Sequence, residues 1–356
     1  MSLKSPLYNE HIALGASFTD FSGWKMPLHY GSIINEHNAV RSSVGIFDIS
    51  HMGTIFVSGK EASEWLEVYL ANQVSDLSPL QSQYSFLLNA SGGVIDDLII
   101  YCLAENVYLI VPNASGVDSV FDFLKQRLPD DSVKLENRSG SMISIAVQGK
   151  CSEELMNAIF PSIQFKQLKK NKLAVIEGAS DSIVIARTGY TGSDGFEIFT
   201  DIDQGFQLWK SLFNSDLNID VSPCGLGSRD TLRIEAGYPL YGSELTEALT
   251  PIQAGLGFFL KKSLRISLQA NLNDDDPKIC YYKVLEKAPP PRQGYGLFHD
   301  DTKIGVVTSG SISPTTQKGI GFALVDSNVS LNLAGKYTVL IRNKKYSLMF
   351  TKRGII

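Results

Sequence analysis

Two adjacent carboxylates, Asp96 and Asp97, interrupt an apolar stretch that reads YSFLLNASGGVIDDLIIY from Tyr84 to Tyr101. A carboxylate held among apolar residues can accept hydrogen bonds from a substrate or stabilise positive charge that develops during a reaction. The alternative is that both acids are solvated at the mouth of a turn, because most aspartates in proteins are exposed. The residues alone leave both alternatives open.

Glu197 and Arg229 are further charged candidates. Glu197 alternates with apolar residues in RTGYTGSDGFEIF, where its carboxylate could accept two parallel hydrogen bonds from a planar, amidine-like edge such as that of a pterin. Arg229 and Arg233 are four residues apart in GLGSRDTLRIEAGYPLYG, so they share a helix face and repel unless an anion or an internal acid lies between them. A solvated glutamate, and arginines paired with Asp230 or Glu235, are the alternatives.

The histidines and cysteines do not predict a metal site. His29, His37 and His51 follow one another at spacings that match no familiar ligand motif, so we expect them to pack a domain or to line a pocket wall. The four cysteines are scattered, with no C-x-x-C pair, and indicate neither a zinc site nor a disulfide framework.

Two predicted hairpins must position the candidate acids. Residues 86–89 and 94–103 read as strands joined by a Gly-Gly turn, and residues 182–200 read as a second hairpin. Side chains alternate along a strand, so Asp96 and Asp97 take opposite faces and only one of them can enter a given pocket.

Short helices complete an α+β pattern. Apolar periodicity predicts helices over 34–43, 60–70, 115–128 and 152–160, and the segment after Gly225 reads as a helix that begins near Ser228 and ends by Gly237. Asn113 lies where a strand gives way to a helix. From there its side-chain amide could cap the helix or contact a ligand, and capping is the more common outcome.

Length and composition limit the function classes. With 356 residues, 44% of them hydrophobic, the chain should form two or three domains with substantial cores. A net charge of −5 argues against a general nucleic-acid binder and gives no attraction to anionic membranes. No apolar run is long enough to span a bilayer and the first residues lack the apolar core of a signal peptide, which predicts a cytoplasmic protein.

The last part of the sequence changes character at DDDPK and APPPRQGYG, which read as a linker. Short predicted strands follow, separated by Gly, Ser, Asn and Pro, and they indicate a small antiparallel barrel. These strands cover residues 304–308, 320–325, 337–341 and 346–351.

Eight motifs, in the same order and across nearly the whole chain, resemble the glycine cleavage system T protein family, the tetrahydrofolate-dependent aminomethyltransferases. The motifs are GWKMPLHYG, FDISHMG, YSFLLNASGGVIDDLIIY, VPNAS, VQGK, RTGYTGSDGFEIF, GLGSRDTLRIEAGYPLYG and IGVVTSGSISPTT. Any one of them is weak, whereas eight in register are specific.

The resemblance implies an α+β fold with three domains arranged like a clover leaf around a central folate cavity, the last being an antiparallel β-barrel of the jelly-roll type. It implies that the first two domains are discontinuous in sequence. The implied domains are 1–53 with 131–245, 54–130 with 246–273, and 274–356.

The resemblance also implies a reaction. Members of the family take an aminomethyl group from the lipoyl arm of the H protein and give ammonia, 5,10-methylenetetrahydrofolate and the dihydrolipoyl arm. Tetrahydrofolate is therefore the expected co-substrate and lipoylated H protein the expected partner, with no metal, nucleic acid or membrane involved.

Site residues follow from the resemblance one at a time. Asp96 matches the essential carboxylate beside folate N5 and N10, which would position the folate and stabilise a developing cation. Glu197 matches the acid that grips the pterin edge, and Arg229 matches the folate-contacting arginine. Positions that line the cavity or meet the folate tail match Tyr84, Asn113 and Arg353. Asp97 and Arg233 are then expected to be structural.

The sequence differs from the family pattern at two places, and two other members of the superfamily are alternatives to the aminomethyltransferase. FFLKKSLR follows Gly257 in place of a Trp-containing strand and a D-F-I-G segment, and Ser193 replaces the first acid of a G-E-D-G-F-E loop. A non-catalytic folate-binding scaffold or assembly factor of the same superfamily is the alternative, but its K-G-C-Y-x-G-Q-E signature is absent. The folate domain of a dimethylglycine or sarcosine dehydrogenase would need a flavin domain, for which this sequence is too short.

Overall fold

The computed structural model describes residues 2–129, 131–177, 182–214, 217–273, 275–326, 336–351 and 353–355. By its packing the chain divides into two compact units. The first comprises Met1–Leu87 and Asp96–Arg229, and the second comprises Leu88–Ile95 and Asp230–Ile356. The predicted boundaries of three domains, and their clover-leaf arrangement, stay predictions.

The strands of the described residues are short, and most of them pair with antiparallel neighbours. In chain order they are β1 (Leu3–Lys4), β2 (Ser17–Phe21), β3 (Trp24–His29), β4 (Val44–Asp48), β5 (Ile55–Ser58), β6 (Gln81–Leu88), β7 (Val94–Ala104), β8 (Val107–Pro112), β9 (Lys134–Asn137), β10 (Met142–Gln148), β11 (Leu173–Ile176), β12 (Ile183–Ala186), β13 (Gly195–Asp201), β14 (Val221–Cys224), β15 (Lys278–Val284), β16 (Gly296–His299), β17 (Thr302–Ile312), β18 (Gly319–Val325), β19 (Tyr337–Ile341) and β20 (Lys344–Thr351).

The α-helices of the described residues are α1 (Tyr8–Ala13), α2 (Ile33–Ser42), α3 (Ala62–Tyr69), α4 (Val117–Lys125), α5 (Ser152–Ile159), α6 (Ile202–Phe213), α7 (Leu226–Ala236) and α8 (Lys262–Ala270). All five predicted helices are present as α2, α3, α4, α5 and α7, with ends within a few residues of the prediction. Helix α7 ends before Gly237, as expected, because that glycine adopts a positive φ of 73° that other residues rarely adopt.

The first unit is built on two large sheets and a small one. The small sheet has the order β1-β3-β2, the five-stranded sheet β6-β7-β8-β5-β9, and the six-stranded sheet β11-β12-β13-β10-β4-β14. Both predicted hairpins are confirmed: β6 and β7 are neighbours in one sheet, and β12 and β13 are antiparallel neighbours in the other. Strand β6 begins at Gln81, earlier than predicted, because the polar residues before Phe86 also join the sheet.

Register in the five-stranded sheet explains which residues can meet the two acids. Strands β7 and β8 are antiparallel, and Leu98 is paired with Pro112. Because the strands are antiparallel, Asp97, one residue before Leu98, lies opposite Asn113, one residue after Pro112. The side-chain amide of Asn113, just after the end of β8, therefore lies beside the two acids of β7.

Strand β13 is interior to the six-stranded sheet and both of its faces are covered. Phe196 and Ile198 lie in one buried cluster with Trp209 of helix α6, while Phe199 lies in another with Tyr101. Glu197 is paired with alanines on both sides, Ala146 and Ala186, and these small side chains leave room beside its carboxylate.

The second unit contains a closed barrel of strand order β15-β18-β17-β16-β19-β20, with antiparallel neighbours throughout. The α+β class and the C-terminal barrel are therefore confirmed. The barrel core includes Tyr282, Tyr337 and Phe350. Strands β15 and β16 were missed by the sequence prediction, because Lys278–Val284 directly follows a charged run and Gly296–His299 is short.

Across the described residues, no helix has the length and apolar character needed to cross a membrane.

Candidate functional site

Asp96 lies on the buried face of β7 with no exposed surface. Its Oδ2 accepts a hydrogen bond from the backbone N–H of Asn113 at 3.0 Å, and its Oδ1 accepts from Nδ2 of Asn113 at 2.8 Å. The backbone N–H of Asp97 donates to Oδ1 as well, at 3.0 Å. The alternative of a solvated Asp96 is therefore wrong, and the carboxylate is fixed through both oxygens.

Asp97 is tied to the same amide. Its Oδ1 lies 2.8 Å from Nδ2 of Asn113, and its Oδ2 accepts a hydrogen bond from the Tyr84 hydroxyl at 2.7 Å. Exposure alternates along β7 as predicted, with Asp96 buried and Asp97 half-buried, and the two acids share one hydrogen-bond donor. Asn113 reaches both carboxylates because register places it opposite Asp97, so it bridges the acids of β7 through its side chain.

The two carboxylates hold protons more strongly than ordinary aspartates do. Burial raises the pKa of Asp96 well above its usual range, and the negative charge of Asp97 raises it further, against the hydrogen bonds from Asn113. Burial also raises the pKa of Asp97, to about 6, while the hydrogen bonds from Tyr84 and Asn113 oppose that rise. The two acids therefore titrate as an interacting pair, in which the charge of one affects the protonation of the other.

Gly116 gives the Asp96 carboxylate its space. A Cβ at this position would lie 2.6 Å from Cγ of Asp96, which is closer than carbon atoms approach one another. The backbone φ of Gly116 is −96°, so the constraint is the proximity of Asp96 and not the conformation of the glycine.

Glu197 forms a second centre. It is 6% exposed, and its Oε2 accepts hydrogen bonds from the Thr188 hydroxyl at 2.6 Å and from the Tyr101 hydroxyl at 3.2 Å. The alternative of a solvated glutamate is thus wrong. Burial and the charge of Glu197 raise the pKa of Tyr101 well above its usual range, so the phenol remains a hydrogen-bond donor.

Arg229 supplies the positive charge of this second centre. Its guanidinium lies 5.0 Å from the ring centre of Tyr190, and burial lowers the pKa of Arg229 while the negative charge of Glu197 opposes that shift. Its Nη1 atom is enclosed and, within the described part of the chain, has no hydrogen-bond acceptor. An enclosed donor of this kind is costly unless a ligand accepts from it.

His51 contributes a second enclosed polar atom. The imidazole is 2% exposed, packs edge-on against Phe21 with ring centres 5.5 Å apart, and has an Nδ1 without a hydrogen-bond partner among the described residues. Burial lowers the pKa of His51 to about 4; the charge of Asp48 opposes this and that of Arg229 adds to it. The ring is neutral at physiological pH and can donate or accept one further hydrogen bond.

Arg233, four residues after Arg229, has a different environment. In the second unit its guanidinium donates to Asp230 at 2.9 Å, to Glu244 at 3.1 Å and to the Ser309 hydroxyl at 2.9 Å. Pairing with an internal acid, one of the alternatives for these arginines, is thus the arrangement of Arg233. These contacts agree with the expectation that Arg233 is a structural residue.

Arg353 also lies in the second unit, where its Nη2 donates to the carbonyl oxygen of Ala254. Its expected contact with a folate tail stays a prediction. Within the described residues there is no group of three or more His, Cys, Asp or Glu side chains that could hold a metal ion.

The structure thus assembles five of the six predicted site residues in the first unit, in two groups. Tyr84, Asp96 and Asn113 form one group, and Glu197 and Arg229 form the other. Residues that the sequence did not single out for these roles complete the groups, namely Asp97, Tyr101, Gly116, Thr188 and Tyr190. A hydroxyl-rich loop that precedes a strand carboxylate, as in RTGYTGSDGFE, was the available signal for Thr188 and Tyr190.

Comparison with known proteins identifies relatives over the whole chain. Residues 7–263 match the family model of the GCVT N-terminal domain, and residues 278–354 match that of the glycine cleavage T-protein C-terminal barrel domain. The aminomethyltransferase of Caldanaerobacter subterraneus subsp. tengcongensis is 40% identical over 352 residues, which cover 96% of this chain and 92% of that protein. The aminomethyltransferase of Bacillus subtilis is 38% identical over 340 residues, with 93% and 92% covered.

A solved structure is similar across its full length. The crystal structure of glycine cleavage system aminomethyltransferase T from Bartonella henselae superposes with a TM-score of 0.89 at 30% sequence identity and covers 100% of both chains.

Proposed function

This chain belongs to the glycine cleavage T-protein family and is an aminomethyltransferase, and from that premise we propose that Asp96 is the carboxylate that acts in the transfer. Tetrahydrofolate is the proposed co-substrate, and it supplies the nitrogen atoms that receive the one-carbon unit. The aminomethyl-loaded lipoyl arm of H protein is the proposed donor.

The observation that carries the proposal is the fixed, buried carboxylate of Asp96. Three hydrogen bonds orient it, and its surroundings exclude water. In such a site a negative charge stabilises positive charge that develops as ammonia departs far more than it would in water. The same carboxylate can accept a hydrogen bond from an attacking amine and so keep its lone pair directed at the carbon.

We assign the group that contains Glu197 and Arg229 to the pterin end of the folate. Thr188 and Tyr101 both donate to Oε2 of Glu197, so Oε1 is the oxygen that we assign to the amino edge of the pterin. The enclosed Nη1 of Arg229 and Nδ1 of His51 are polar atoms that a ligand would satisfy. Tyr84 and Asn113 would flank the bound folate beside Asp96, and Arg353 would meet its tail.

A non-catalytic scaffold is not favoured, because aminomethyltransferases are the relatives that match this chain over nearly its full length. The cytoplasmic location remains part of the proposal.

The test is ammonia release from aminomethyl-loaded H protein, measured with and without tetrahydrofolate. We expect rapid release that depends on both the protein and tetrahydrofolate, since the folate is the acceptor. A matched reaction with H protein that carries an unloaded lipoyl arm controls for free ammonia. Release no faster than that of the folate-only background would contradict the proposed function and favour the scaffold.

A further inference from the structure

Asp97 shares a hydrogen-bond donor with the proposed catalytic carboxylate. The Nδ2 atom of Asn113 lies 2.8 Å from Oδ1 of Asp96 and 2.8 Å from Oδ1 of Asp97, and it also lies 2.9 Å from the carbonyl oxygen of Asp97. Rotation of either carboxylate would therefore alter the hydrogen bond to the other. The orientations of the two carboxylates are therefore coupled through the single Nδ2 atom of Asn113.

A hydroxyl from the neighbouring strand fixes the far side of this unit. Tyr84 on β6 donates to Oδ2 of Asp97 at 2.7 Å, so a continuous chain of hydrogen bonds runs from Tyr84 through Asp97 and Asn113 to Asp96. In a buried chain of this kind, a change at one end alters the strength and geometry of every following bond.

The pair is also coupled through charge. The groups that act on the ionisation of Asp96 are burial, the charge of Asp97, and the hydrogen bonds from Asn113 and from the backbone of Asp97. The ionisation of Asp97 is opposed by burial and favoured by the hydrogen bonds from Tyr84, from Asn113 and from its own backbone N–H. Two carboxylates that share one donor, one buried and the other half-buried, resist being ionised together.

We propose that Asp97 is a positioning residue of the transfer reaction, which sets the orientation of the Asp96 carboxylate through Asn113 and sets the pH at which Asp96 becomes ionised. The inference rests on the proposed function, because it concerns the same carboxylate. It replaces the expectation that Asp97 is only a structural acid.

The sign of the effect follows from repulsion between like charges. Asp96 must be ionised to act, so the transfer rate falls on the acid side as Asp96 gains a proton. An ionised Asp97 makes that proton harder to lose. Removal of the charge at residue 97 therefore lets Asp96 ionise at lower pH, and the acid limb of the pH–rate profile moves toward acid.

The test is the pH profile of single-turnover ammonia release at saturating tetrahydrofolate for the wild type, Asp97→Asn and Asp97→Glu. We expect Asp97→Asn to shift the midpoint of the acid limb by about one pH unit toward acid and to lower the maximal rate about tenfold. Asp97→Glu keeps a charge at this place and should stay nearer to the wild-type midpoint. An unchanged midpoint in folded Asp97→Asn would overturn the proposal.

Tyr84→Phe provides a second route if Asp97→Asn does not fold. Loss of the hydroxyl removes a donor that favours ionised Asp97, so Asp97 gains its proton at higher pH and repels Asp96 less. The acid limb should then move in the same direction by a smaller amount. A Tyr84→Phe midpoint equal to that of the wild type would, in that case, overturn the proposal.

An infrared titration separates this inference from the proposed function, since it needs no substrate. Protonated carboxyl groups have their own infrared band, and subtracting the spectrum of Asp96→Asn from that of the wild type isolates the contribution of Asp96. The same subtraction is made for a second pair of proteins, Asp97→Asn and Asp96→Asn/Asp97→Asn. As the pH rises, the Asp96 band should disappear at lower pH in the second pair than in the first. Wild-type protein that releases no ammonia yet shows this shift would refute the proposed function alone, whereas active wild type without the shift refutes the inference.

Discussion

Asp96 and Glu197 are both buried carboxylates on interior strands of the first unit, but their partners differ in kind. Asp96 accepts hydrogen bonds from the Asn113 side-chain amide and from two backbone N–H groups, and a second acid lies beside it, so its neighbourhood contains two like charges. The partners of Glu197 are two hydroxyls and the positive field of Arg229. Burial of a charge is costly in both places, and only the second place offers an opposite charge against that cost.

This difference in partners indicates that Asp96 and Glu197 have different tasks, one in the reaction and one in ligand binding. Burial and the neighbouring charge of Asp97 raise the pKa of Asp96, and a perturbed pKa of this kind is typical of a group that acts in a reaction. Beside Glu197, the enclosed Nη1 of Arg229 has no hydrogen-bond acceptor among the described residues, which suits the recognition of a ligand. We therefore expect substitutions near Asp96 to lower the rate of transfer and substitutions at Glu197 and Arg229 to weaken folate binding.

Gly116→Ala should strongly lower the rate of the transfer step. The new Cβ would overlap the Asp96 carboxylate and push it from its hydrogen bonds to Asn113, so we expect turnover to fall about a hundredfold with folate affinity changed only a few fold. Stopped-flow ammonia release and calorimetric folate binding measure the two quantities.

Gly257→Ala is the matched control for Gly116→Ala. A Cβ at Gly257 would lie 3.1 Å from its nearest neighbour, a side-chain carbon of Ile252 that can move. Near wild-type turnover in Gly116→Ala would show that the position of the Asp96 carboxylate is not critical.

Glu197→Ala should weaken folate binding about 10- to 100-fold, since hydrogen bonds to a charged group contribute about 1.5–3 kcal/mol. The rate of the transfer step at saturating folate should change much less. Isothermal titration with tetrahydrofolate measures the dissociation constant. Glu105→Ala, at an exposed glutamate of the same unit, serves as the control, and an equal affinity in the two variants would exclude Glu197 from folate binding.

Arg229→Met should have the smallest effect on binding, about tenfold in the dissociation constant, because it removes a single enclosed donor and the charge opposite Glu197. Its free energy of unfolding should fall less than that of Arg233→Met, because the enclosed Nη1 makes no hydrogen bond within the described residues and the variant loses only the charge opposite Glu197.

Arg233→Met provides the contrast on the same helix. It leaves the buried Glu244 without the opposite charge of Arg233, so the free energy of unfolding should fall by about 3–5 kcal/mol. If Arg229→Met destabilises the protein as strongly as Arg233→Met, the assignment of Arg229 to a ligand is wrong.

Local patterns predicted much of this fold. The β-branched run around Asp96, the Gly-Gly turn and the glycine that ends α7 each act through neighbouring residues, so they are visible in the sequence. The bridge from Asn113 to both acids depends on the register of β7 against β8, which local patterns do not specify. Burial of Glu197 depends likewise on small cross-strand partners, Ala146 and Ala186.

The most direct test of the central claim is single-turnover ammonia release by Asp96→Asn with aminomethyl-loaded H protein and saturating tetrahydrofolate. The exchange keeps the size of the side chain and removes its charge, so we expect the rate to fall by about two orders of magnitude or more while the folate dissociation constant stays within a few fold of the wild-type value. A rate equal to that of the wild type in a protein that binds folate normally would remove Asp96 from the mechanism.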